Sequence, residues 1–275
     1  MTGLTPGLTD VTLQVVDAGT GLPKKLASTK LCVAQFIAID EEAAALNAQL
    51  VAYLLDDVKD ALLRKAKDVV DYLLSHANAR TVWRLAPFGE TLPAQFLAGG
   101  PAAGKFRTLT IHGAPSASGL AGATSQPAGP TIPSGRIDIW PGAFAQGSID
   151  VGPDVVDLVT KMRAMNMTDV RVKTLWIEIM GRLLGENIAH EIHHALLGTA
   201  GFDATGHNSP AIPFDLMNRG TDRLWIQRTG IEIIDHANFP NVGTFRDGGI
   251  PSISGLMTAN QAKVDAAFPV PPVFS

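Results

Sequence analysis

Residues 185–220 read GENIAHEIHHALLGTAGFDATGHNSPAIPFDLMNRG, and they open with His190-Glu191-Ile192-His193-His194, an H-E-x-x-H. The apolar periodicity around it predicts a helix from about Asp169 to Leu197. Residues four apart in a helix lie one turn above each other on one face, so the imidazoles of His190 and His194 can reach a single ion. Glu191 falls on the flank of that face, where its carboxylate reaches a water on the ion rather than the ion itself. Zinc with nitrogen ligands and an open position brings the pKa of its water to about 7, and a nearby carboxylate takes the proton. Ile188, Ile192, Ala195 and Leu196 form an apolar arc on the other side, so the helix can pack while the histidines face a cleft.

Two histidines leave a catalytic zinc site one ligand short. His207 is the leading candidate, because Gly198, Gly201 and Gly206 allow the chain to double back after the helix. Four of the seven histidines fall within residues 190–207. Asp203 is a second choice on the same loop. Glu232 and His236, further on, would give a different ligand geometry. His193 reads as a helix-surface histidine, and His76 and His112 as structural ones.

Outward from this segment the chain is uneven. Residues 24–86 contain neither Gly nor Pro. With Asp40 as cap and apolar residues from Leu46 to Leu73 at three- and four-residue intervals, they predict a long amphipathic scaffold helix ending near residues 76–80. Strands are expected at residues 11–16, 106–112 and 136–140. Residues 114–135 (APSASGLAGATSQPAGPTIPSG) read as a surface loop. Helices are expected at residues 152–165, 222–234 and 258–268. The resulting expectation is an α+β fold in which a mixed, twisted sheet carries a long N-terminal scaffold helix and an active-site helix. Residues 1–100 form the scaffold segment and residues 101–275 the catalytic one, with a proline-rich tail.

The pattern resembles the metzincin clan of zinc metallopeptidases, H-E-x-x-H-x-x-G-x-x-H followed by a methionine turn. His190, Glu191 and His194 match its first part, His207 resembles the third histidine, and FDLMN at 214–218 looks like the turn that places Met217 beneath the metal. Leu197 stands where the family has Gly, the interval from His194 to His207 is longer, and the only tyrosines, Tyr53 and Tyr72, lie upstream. The resemblance implies a Zn2+-dependent endopeptidase with Glu191 as general base and a peptide or protein substrate. It also implies an antiparallel edge strand that pairs with the substrate, for which residues 136–140 are the candidate, and a C-terminal helix at 258–268. The rival expectations are a zinc-stabilised binding or structural protein and a zinc amidase acting on a non-peptide substrate.

Composition narrows the alternatives. Hydrophobic residues make up 46% and charged residues 17%, enough for a large core. A net charge of -4 with scattered Lys and Arg argues against nucleic acid. The single cysteine, Cys32, rules out an internal disulfide framework and a cysteine-rich metal cluster, and reads as a small buried residue. No stretch reaches the roughly 18 apolar residues of a membrane span, and the first residues carry no Sec-type signal. The location expected is therefore cytoplasmic or exported by another route.

Overall fold

The computed structural model describes residues 7–16, 19–20, 23–33, 35–41, 59–74, 79–83, 107–112, 116, 121–124, 136–141, 167–197, 201–235 and 243–267. The fold is α+β, with helices packed on a small mixed sheet. Strands β1 (Gly7–Val16) and β2 (Pro23–Val33) form an antiparallel pair of their own. β3 (Gln35–Glu41), β4 (Ala79–Trp83), β5 (Arg107–Ile111), β6 (Gly122–Thr124) and β7 (Arg136–Ile139) form a five-stranded sheet of order β4-β3-β5-β7-β6. The first four strands of that order run parallel, and β6 pairs antiparallel with β7. Strands from both sides of residue 100 thus share one layer.

Helix α1 (Lys59–Leu73) precedes β4, and the central helix α2 (Asp169–Leu197) follows β7. Then come α3 (Trp225–Thr229), the hairpin of β8 (Ile231–Asp235) and β9 (Gly243–Asp247), and α4 (Thr258–Ala267). No helix among the described residues is long and apolar enough to cross a membrane.

α2 begins where expected: the Thr168 hydroxyl accepts from the Arg171 amide at 3.4 Å, and Asp169 sits in the first turn, where the dipole favours an acid. It is the spine of the molecule, with every residue from 179 to 193 buried. It packs against α1, whose Leu63, Ala66, Val69 and Val70 are buried, and against β6 and β7 of the sheet, where Ile137 and Ile139 are buried. The helices approach closely because Gly181 and Gly185, one turn apart, carry no side chain. A Cβ on Gly185 would lie 2.6 Å from the Ala66 carbonyl oxygen.

Four sequence expectations need correction. The scaffold helix does not begin at Asp40, which lies in a strand instead; the helix is Lys59–Leu73, and residues 42–58 lie outside the described residues. The stretch 114–135 is not all loop, since β6 lies within it. Residues 136–140 hold β7, which has neighbours on both sides, so the edge strand is β6. The helix expected at 222–234 is only α3: Gly230, at φ 65°, stops it, and the β-branched Ile231, Ile233 and Ile234 continue as strand. The helix expected at 152–165 lies outside the described residues.

Candidate metal centre

A polar stripe runs along the C-terminal part of α2 at four-residue spacing: Glu178, Arg182, Glu186, His190 and His194. Arg182 and Glu186 are buried against residues 223–229 and Asp247, while Glu178 also pairs with Lys65 of α1. Arg182 pairs with Glu178 and Asp247, each at 2.7 Å, and donates to the Thr229 carbonyl at 3.0 Å. Glu186, fully buried, holds both Arg223 and Arg228, themselves buried. The last two members of the stripe are the histidines of the motif.

His190, His194 and His207 converge. Their Nε2 atoms lie 3.0 Å (His190–His194), 3.2 Å (His190–His207) and 3.3 Å (His194–His207) apart. They are the one group of three potential ligands among the described residues placed to share an ion. Three imidazole nitrogens on a tetrahedral zinc, each at about 2.0–2.1 Å, sit about 3.3–3.4 Å from one another, so the observed triangle is close to one face of such a tetrahedron. The chemistry of the donors fits as well. Burial, with the Arg223 charge as the next cause, holds His190 well below the usual imidazole range. Burial likewise brings His194 down to about 3 and lowers His207. All three therefore offer uncharged lone pairs at neutral pH.

The bend at 214–218 secures His190. Leu216 offers its carbonyl to His190 Nδ1 at 2.7 Å, which fixes the proton on Nδ1 and leaves Nε2 bare. The bend is built around Asp215, fully buried, whose Oδ1 accepts from the Met217 amide (2.7 Å), Asn208 (3.0 Å) and Asn260 (2.9 Å). Its Oδ2 accepts from the Met257 amide at 2.8 Å. Asn260 belongs to α4, so the C-terminal helix pins the bend beneath His190. Met217 is fully buried within this arrangement.

Glu191 does not join the trio. It turns toward β6, where the Thr124 hydroxyl contacts its Oε2 at 2.8 Å and its backbone carbonyl at 2.9 Å. Gly122 lies against the same carboxylate: a Cβ there would be 2.6 Å from Oε1. Asn187, one turn back on α2, donates to the Ala121 carbonyl at 2.9 Å and holds the strand in place. Burial pushes the Glu191 carboxyl up to about 7, with the Thr124 hydrogen bond and the Arg223 charge acting the other way.

The alternative ligands fall away. Asp203 faces its own loop and Arg219 rather than the trio. Glu232 lies in β8, paired with Arg246 of β9, and is not in the trio; His236 lies outside the described residues. His193 is no surface residue. It is 1% exposed, donates to the Ala189 carbonyl at 2.6 Å, and burial lowers it to about 4. The packing of α2 on all sides, invisible in a helical projection, explains this. His112 pairs with Asp138 at 2.7 Å and stacks on Trp140. His76 and the side chain of Cys32 lie outside what is described.

Sequence reasoning missed Gly122, Thr124, Asn187, Glu186 and Arg223. Only Glu186 carried a signal, its position four residues before His190 on the motif face. No family model, curated protein or solved structure matches the chain.

Proposed function

We propose that this chain is a zinc-dependent endopeptidase with a metzincin-type centre. The carrying observation is the trio of imidazole nitrogens 3.0–3.3 Å apart, two of them on the same helix as a buried carboxylate, Glu191, that is hydrogen-bonded to the edge strand β6. His190, His194 and His207 would hold the ion, which when bound supplies a Lewis acid toward a carbonyl and acidifies water.

The remaining roles belong to the chain. Glu191, with a carboxyl that exchanges its proton near neutral pH, takes a proton from water and returns it to the leaving amine. Thr124 holds Oε2 by its hydroxyl, and Gly122 leaves the space that Oε1 occupies, so the strand fixes the carboxylate's position. β6 ends the sheet order, and its backbone can add an extended peptide as a further antiparallel strand, which aligns the scissile bond beside Glu191. This replaces residues 136–140 as the substrate-binding edge.

The test is zinc content by mass spectrometry alongside hydrolysis of an unfolded protein. The wild type is expected to hold one zinc and to cleave. Glu191→Gln is expected to hold zinc equally and lose about 10²–10⁴ in kcat, the range of a general base. Stoichiometric zinc with no cleavage of any peptide would leave a structural metal site or an amidase and end the peptidase reading.

A further inference from the structure

A hydroxyl is an ambiguous partner for a metal-binding histidine, because it can donate or accept. His190 avoids the ambiguity, since a carbonyl only accepts. His207 does not: its Nδ1 faces the Thr205 hydroxyl at 2.9 Å. If that hydroxyl donated, the imidazole proton would move to Nε2 and close the third corner of the site.

We infer that Asp203 and Thr205 form a relay that locks His207 with its proton on Nδ1, presenting a bare Nε2 before any metal arrives. The loop is built for this. Its backbone closes on itself through the Asp203 amide to the His207 carbonyl (2.9 Å) and the Gly206 amide to the Asp203 carbonyl (3.0 Å). Asp203 Oδ1 accepts from the Thr205 amide (2.8 Å), the His207 amide (3.1 Å) and the Thr205 hydroxyl (2.6 Å). Its other oxygen is held by Arg219 at 2.7 Å.

A hydroxyl owns one proton, and a 2.6 Å contact with a carboxylate is the short, charge-assisted kind, so that proton is committed to Asp203. The Thr205 oxygen is left as an acceptor, and His207 Nδ1–H must be the donor. Neutral imidazole carries a single proton, so Nε2 is bare. Two bare nitrogens, of His190 and His207, then stand 3.2 Å apart, an arrangement that favours a cation between them. Asp203 is thereby a positioning residue acting through Thr205. The inference rests on the metal-site reading for its purpose, but its physical content is a tautomer.

The test separates the two. Imidazole nitrogen NMR on the full-length, metal-free chain, with His207 assigned by comparison with His207→Gln, is expected to show His207 protonated at Nδ1. In Thr205→Val that preference is lost, and Thr205→Ser restores it. Zinc affinity by chelator competition is expected to fall about 10–100-fold in Thr205→Val and Asp203→Asn and to recover in Thr205→Ser, the range for groups that orient a ligand. A loop that served stability alone would lower the melting temperature without moving the tautomer. Wild-type His207 protonated at Nε2, or Thr205→Val with wild-type tautomer and affinity, would overturn the relay. A wild type with the Nδ1 tautomer but no zinc binding would uphold the relay and refute the metal reading.

Discussion

At the scale of single residues, Glu191 is defined by what stands opposite it. Gly122 leaves the volume its carboxylate occupies, and Thr124 takes one of its two oxygens. Gly122→Ala would place a methyl group 2.6 Å from Oε1 and force the carboxylate aside. Thr124→Val keeps the shape and removes the hydrogen bond. Both variants are expected to keep zinc content and to lose kcat by about tenfold or more, with Thr124→Ser close to wild type; a misplaced catalytic group costs rate in this range. A change confined to KM would show that β6 binds substrate without orienting Glu191. These partners could not be read beforehand. A helical projection places Glu191 beside the ion, but which strand meets it depends on a contact 67 residues distant in sequence.

At the scale of elements, α2 was legible because its apolar periodicity continues from Asp169 to Leu197. β6 was not, because Gly-Ala-Thr in a run of small residues has no strand preference of its own. It becomes a strand by pairing with β7. The same dependence shows in α3, where a continuous polar-apolar pattern hid a turn at Gly230. The element that holds these late pieces to α2 is the buried ion cluster of Glu186 with Arg223 and Arg228. Burial draws Arg223 down to about 10, so it stays charged at neutral pH. Glu186→Gln leaves two guanidinium groups without their carboxylate. The expected loss is about 3–5 kcal/mol in chemical denaturation, as for other broken buried pairs. A loss below about 1 kcal/mol would mean that the α3 region is held by its apolar contacts.

At the scale of the whole molecule, the core is threaded by a helix whose buried polar residues couple stability to pH. Folded His193 takes its proton only near pH 4, whereas the unfolded chain takes it near 6.5. The unfolded state therefore binds more protons between those values, and stability falls as pH is lowered through that window, by roughly 3 kcal/mol from this group. Glu191, raised to about 7, acts oppositely: its burial cost is relieved as pH falls from 7 toward its ordinary value. Urea titrations of the metal-free chain at several pH values are expected to show the advantage of wild type over His193→Gln shrinking between pH 6.5 and 4. A constant difference would show that His193 is protonated in the folded state.

The amino-acid sequence by itself determined the spine and the shared face of His190 and His194, because period and i, i+4 spacing are local properties of one helix. It also named His207 and a C-terminal helix at 258–268, observed as Thr258–Ala267. Tertiary structure alone decided that His207 rather than Asp203 completes the trio, that His193 is interior, and that β6 meets the carboxylate of Glu191. Those outcomes depend on which groups approach when the sheet, the return loop and α4 close around α2, and no local propensity encodes a distance between segments.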